Sequence, residues 1–559
     1  MATSPSALLR ELETAARSYR GGVAARKVEL LERLGRRRLA RAGEVLRLHE
    51  VLCFLRAYPD DEAVLERVES LLARFAQRGD VRRHRLALSD TGVAGTPIEF
   101  SFFWQSARRL RARWPERISV AWDYFRNEEG FERVVHLLVP YSESPGLDAL
   151  ELSAREWVAW LKGDESDAVF LVDRVAALPG DDFTREAFYD DLDLTLRLEP
   201  GPDTPARTRA RLGGCEVAFQ TSSLRRARPS LRAEIRRPPL AVRELPVREA
   251  RRVIDLARDA MVTRSRDLHA FAYADERDVR MVECGDGLQL ACIGQVPERR
   301  LVLESVYGFL TLKNGVPIGY VLASSLFGST EIAYNVFDTF RGAEAAAVFG
   351  RVLGTVRHLF RSDTFSIDPY QLGYDNAEGL RSGAWWFYYK LGFRPHDPQV
   401  RRLVRAELRR MKADPRHRSS IATLEKLAAQ HLFLHFEGQR ADTLAQIALG
   451  EIGLWISRTL AERFGARREA GLRTCAREAA ELLGLRSLRG FTRGERLAWE
   501  RWSPLVMSLR GVGRWPAADR RRLVAVMRAK GGRSEAEFVR LFDGHRRLRR
   551  AVLRLAQEQ

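Results

Sequence analysis

The strongest constraint on this chain is a change of hydrophobic period between Leu245 and Pro395. Ala250, Val253, Ile254, Ala257, Ala260 and Met261 recur at three and four, the spacing of one apolar helix stripe. β-like runs follow at Asp278–Cys284 and Leu288–Ile293, separated by Gly285-Asp286-Gly287. Two more, Ser305–Leu312 and Ile318–Leu326, flank Lys313-Asn314-Gly315. Asn-Gly is the best short hairpin signal, because a type I′ turn needs positive φ at both central residues. A strand at Glu331–Val336 then leads into a helix ending near Phe360, with the stripe Phe349, Val352, Leu353, Val356, Leu359 and Phe360. A strand at Thr364–Asp368 and a second helix ending in Tyr388-Tyr389-Lys390-Leu391-Gly392-Phe393 complete the pattern. The implied class is α+β, with a central mixed, mostly antiparallel sheet flanked by helices.

The flanks read differently. Residues 1–95 are helical in pattern, with Leu30, Leu31, Leu34, Val64, Val68 and Leu72 at helix spacing and a break at Pro59-Asp60-Asp61. Residues 96–240 mix a helix through Phe102, Trp104, Ala107, Leu110 and Trp114 with β-like runs at Ile118–Trp122 and Val134–Val139. The acidic stretch 163–204 reads as solvated loop and helix. Pro238-Pro239 marks a linker, because proline lacks an amide donor and restricts its predecessor, so a boundary falls near residue 240. The middle domain runs over 241–398, and residues 399–559 read as an all-helical domain. Thr492 with Glu495 and Ser534 with Glu537 fit capping boxes there. Trp499, Trp502, Trp515 and Phe538 at helical spacing read as core.

Charge narrows the partners. The net charge is +19, and residues 401–559 carry 35 Arg and Lys against 17 Asp and Glu, so the excess lies almost wholly in that segment. It is a candidate footprint for nucleic acid, but solvated helix faces are the favoured reading. Only seven of 93 basic residues are lysine, a bias that a GC-rich genome explains without a ligand. No apolar run approaches the ~18 to 20 residues of a membrane span, and Met1–Gly22 lacks the apolar block of a secretory signal; no membrane insertion and a cytoplasmic location are expected. Cys53, Cys215, Cys284, Cys292 and Cys475 show no disulfide or zinc spacing. His431 and His435 stand four apart without the glutamate of a zinc helix, so no metal is expected.

The middle segment resembles the GNAT family of N-acyltransferases. Val336 to Ala346, VFDTFRGAEAA, is similar to the family's Val-x-Pro-x-Tyr-Arg-Gly-x-Gly-x-Ala segment, and Asn376 with Tyr388-x-Lys-x-Gly-Phe393 is similar to its Asn…Tyr-x-Lys-x-Gly-Phe signature. The resemblance covers about 150 residues and implies an acyl-coenzyme A-dependent enzyme using acetyl-CoA or another acyl-CoA. Arg341, Gly342, Ala343, Ala345 and Ala346 match the positions that hold the pyrophosphate; backbone amides at a helix N-terminus suit that anion. Val336 lies on the strand that would polarise the thioester carbonyl, and Asn376 would meet the pantetheine amides or act as a helix cap. Tyr388 would protonate the leaving thiolate; its other reading is a packed aromatic. Glu331 is the candidate base for the acceptor amine, or an exposed strand-end charge. Glu344 replaces the family's central glycine and Asp338 its proline, and the chain passes quickly from Arg394-Pro395 into a helical pattern, so the closing hairpin is expected to be absent or replaced by the following domain.

The expected activity is therefore transfer of an acyl group to a small-molecule or protein amine. The alternatives are a catalytically inactive GNAT-like scaffold that binds protein or nucleic acid through 401–559, and an enzyme that moves acyl or aminoacyl groups to or from RNA.

Overall fold

A computed structural model describes residues 4–147 and 149–557. The chain forms two compact units. One comprises Met1–Leu224, Arg251–Tyr273 and Lys313–Pro317; the other comprises Arg225–Ala250, Ala274–Leu312 and Ile318–Gln559.

In the first unit the helices Pro5–Ala16, Val23–Gly35, Ala42–Ala57 and Glu62–Ala73 bury the stripes read from the sequence, with Leu30, Leu31, Leu34 and Val64 fully enclosed. Asp61 caps the fourth helix by accepting the Val64 amide at 2.9 Å. Three short antiparallel strands, β1 (Ile98–Phe100), β2 (Ile118–Val120) and β3 (Leu196–Leu198), lie in the order β1-β3-β2. The helix Trp104–Arg113 shares a core with them through Trp104, Ala107 and Leu110. Val134–Val139 is not a strand: Val134 and Val135 end a helix, Glu128–Val135, and the residues after them turn. Asn127 caps that helix, Glu128 and Glu129 favour its positive end, and Phe131 and Val135 form one buried face.

The second unit is built on a nine-stranded sheet. Its strands are β4 (Ala241–Glu244), β5 (Ala274–Gly285), β6 (Leu288–Gln295), β7 (Ser305–Lys313), β8 (Val316–Leu326), β9 (Ser329–Val336), β10 (Thr364–Ile367), β11 (Arg394–Pro395) and β12 (Leu432–His435). Their spatial order is β11-β12-β10-β9-β8-β7-β6-β5-β4. Asn314 and Gly315, between β7 and β8, have φ of 50° and 76°, the positive values a type I′ turn requires. β9 and β10 pair in parallel, and the helix α1 (Ala345–Phe360) makes the crossover between them. α1 buries Phe349, Val352, Leu353, Val356 and Phe360 as its stripe predicts.

The segment from 399 onward is not all helical. Leu432–His435 forms β12, which inserts between β10 and β11 and pairs antiparallel with both. The closing strand expected to be absent or replaced is thus supplied from beyond two helices, Pro398–Ala413 and Ile421–Ala428. The remaining chain is helical. Thr492 and Glu495 form the expected capping box, and Trp499, Trp502 and Phe538 lie in the core. The helix α2 (Ala384–Leu391) precedes β11, and Ser534 caps the helix α3 (Glu535–Gly544) through the Ala536 amide while its hydroxyl also accepts from Arg280 at 2.6 Å. No helix of the described residues is long and apolar enough to cross a membrane.

Candidate functional site

The parallel pairing of β9 and β10 is short. Pairing covers Ser329–Glu331 against Thr364–Ser366; β9 then runs on to Val336 while β10 ends at Ile367. On its other side β9 stays paired with β8 through Val336, opposite Gly319. The outer half of β9 therefore turns one peptide edge to the space beyond the end of β10. Alternation along β9 places Thr330, Ile332 and Tyr334 on the buried face and Glu331, Ala333 and Asn335 on a half-exposed one.

α2 (Ala384–Leu391) brings Tyr388 to that space. Its ring is buried and meets Phe349 of α1 edge-on at 5.4 Å. The Tyr334 main-chain N–H faces the Tyr388 hydroxyl, and burial drives the phenol well above its ordinary value despite that donor. Tyr388 is thus a packed aromatic, one of the two readings its sequence position offers. It holds its proton across neutral pH.

Between β9 and α1 the chain makes a short turn of 3-10 helix at Asp338–Phe340, followed by Arg341, Gly342 with φ of 74°, and buried Ala343. Glu344 is the N-cap of α1 but gives no side-chain hydrogen bond to the helix. One of its carboxylate oxygens instead accepts the Arg225 main-chain N–H at 3.1 Å. Ala345 and Ala346 open the first turn, where methyl side chains leave the amides approachable. Arg341 pairs with Asp338 at 2.9 Å and with Glu378, so its guanidinium is engaged by carboxylates. Asn376 caps the helix Ala377–Ser382, accepting the Gly379 amide at 3.1 Å and donating to the Tyr370 carbonyl at 2.9 Å. Its side chain is occupied locally, as the capping alternative has it.

Glu331 stands at the paired end of β9 and is not isolated. His431 Nε2 lies 3.1 Å from its Oε2 and 3.6 Å from Asp368 Oδ2. Asp368 directly follows β10, and His431 directly precedes β12. The ligand-type atoms of the three side chains all lie within 4.8 Å of one another, each side chain partly solvent-accessible. Glu331 and His431 are 100 residues apart in sequence, so no spacing motif announces them. The signal that could have found His431 is the three-residue apolar run Leu432–Leu434 behind it, which lies in the strand that His431 precedes. His435, four residues after His431, lies at the end of β12 and meets His396, Nε2 to Nε2 at 2.9 Å.

Comparison with protein-family models, with curated proteins and with solved structures finds no match to this chain.

Proposed function

We propose that this protein is an acyl-coenzyme A-dependent N-acyltransferase that uses the outer edge of β9, beyond its short pairing with β10, to hold a thioester. The observation that carries this reading is the coincidence, at one point, of an incompletely paired strand edge and a buried phenol: Tyr334 on β9 and Tyr388 on α2. A thioester carbonyl seated on the outer half of β9 would accept main-chain N–H groups, which stabilise the oxyanion as the amine attacks. The Tyr388 proton would then pass to the departing sulfur. Because burial keeps the phenol protonated, it donates to a thiolate without first having to recover a proton.

The first turn of α1 supplies the phosphate end. Ala345 and Ala346 present uncapped amides at the positive end of a sixteen-residue helix, the usual physical basis of anion binding. The Glu344 hydrogen bond to the Arg225 amide gives that carboxylate a partner outside the first turn of the helix. The acceptor amine would approach the half-exposed face of β9, where Glu331 is the available proton acceptor. Acetyl-CoA and longer acyl-CoA donors fit this chemistry equally.

Calorimetry with coenzyme A, acetyl-CoA and longer acyl-CoA thioesters tests the reading. Micromolar binding to at least one thioester is expected, and Tyr388→Phe is expected to lower turnover roughly 100-fold or more with little change in thioester affinity. Absence of binding to every thioester overturns it.

A further inference from the structure

We propose that Glu331, Asp368 and His431 form a binding site for one divalent first-row transition-metal ion, of the Zn2+ or Mn2+ class. The inference goes beyond acyl transfer and does not depend on it. Three separate strands deliver the three side chains to one face of the sheet. Glu331 lies within β9, Asp368 directly follows β10, and His431 directly precedes β12.

The separations suit a coordination sphere. Donor atoms about 2.1 Å from a common ion stand about 3.0 Å apart when adjacent in an octahedron and about 3.4 Å apart in a tetrahedron. His431 Nε2 is 3.1 Å from Glu331 Oε2 and 3.6 Å from Asp368 Oδ2, and the three ligand atoms all lie within 4.8 Å of one another. Asp368 is already oriented for this. Its Oδ1 accepts the Tyr370 amide at 2.8 Å, leaving Oδ2 toward the imidazole. The second oxygen of a ligating carboxylate held in this way fixes the first.

A separate observation points to something missing beside this cluster. Ser366 is fully buried, yet its hydroxyl has no hydrogen-bond partner among the described residues. Register places it directly beside Glu331 on β9 and beside Phe433 on β12, on the face that carries Asp368 one pleat further along. A buried hydroxyl without a partner costs about 1 to 3 kcal/mol, and a water or ligand held by an ion at the triad would satisfy it. One imidazole and two carboxylates without thiolate favour a transition metal over Mg2+, which prefers oxygen alone. Three protein ligands leave coordination positions open, and each side chain is between a quarter and two fifths exposed, so an ion has a route in.

The test uses the full chain, stripped with chelator and titrated with Zn2+, Mn2+ and Mg2+ by calorimetry, with X-ray absorption on the Zn2+ form. One equivalent of Zn2+ bound through nitrogen and oxygen alone is expected, more tightly than Mg2+, with a rise in melting temperature. His431→Gln and Asp368→Asn should each weaken binding roughly 100-fold or more, while their metal-free melting curves stay close to wild type. Should either variant fail to fold, the wild-type ligand set still decides, because sulfur ligation points to another site. No bound equivalent, or an equivalent kept by both variants, overturns the proposal. No thioester enters these measurements, so they succeed or fail apart from the acyltransferase reading.

Discussion

Two imidazoles in direct hydrogen bond cannot both be protonated cheaply. The Gln446 amide lies 3.3 Å from His396 Nδ1, so with the amide donating there His396 carries its hydrogen on Nε2 and gives it to His435 Nε2, whose Nδ1 faces the Thr364 hydroxyl. Burial lowers the His396 value, with Arg401 adding to it; burial, His396 and Arg440 lower that of His435 against the pull of Asp363. A lowered folded value means that the unfolded chain binds protons more readily. The contribution is complete above the ordinary histidine value near 6.5 and is lost as pH falls through the depressed folded values. Denaturant midpoints are therefore expected to drop between pH 7 and pH 5, and His435→Asn should flatten that slope. A second prediction belongs to Glu344. Replacing it by alanine removes one negative charge from the helix end, so coenzyme A should bind about two- to five-fold more tightly in calorimetry.

At the scale of elements, α3 is fastened to the sheet by buried polar groups rather than by apolar contact alone. Lys530 and Glu535, both enclosed, pair at 2.5 Å; Tyr307 on β7 donates to Asp278 on β5 at 2.7 Å and accepts the Ala536 amide. Fully buried Arg300 caps the carbonyls of Gln295, Lys530 and Gly532. Removing one partner strands the others, so Glu535→Ala should cost about 3 to 5 kcal/mol in urea unfolding, more than a surface pair would. Little of this network was readable beforehand, because the bonds that join the α3 end of the chain to the sheet link residues more than 200 apart. Local signals fared better. The Asn314-Gly315 turn, the α1 stripe and the Thr492 cap each rest on neighbours along the chain, and each stands where the sequence put it. β12 escaped notice since four residues are too few to establish a period, and a helix cap outweighed β-branched valines at Val134–Val135. For the candidate site, Tyr388 and Glu331 were legible as residue types in a pattern, whereas Asp368 and His431 become meaningful only through strand order.

For the molecule as a whole, the helical and sheet parts of the second unit are interdependent. A chain ended at Pro398 would retain β9 and β10 but lose β12 and α3, leaving β10 as a bare edge with unpaired amides and carbonyls. Such a truncated chain is expected to aggregate or to melt without a cooperative transition, which circular dichroism and sedimentation would register, while the full chain melts sharply. The basic excess of the last segment is likewise partly spent within that unit. Arg440, Arg463, Arg528 and Arg549 pair there with Asp363, Glu478, Glu495 and Asp442. The late arrival of β12 also matters during translation. Residues leave the ribosome at roughly 5 to 20 per second, so the nascent sheet waits several seconds with its growing flank open before the plug emerges, a window in which a chaperone would have its chance to shield it.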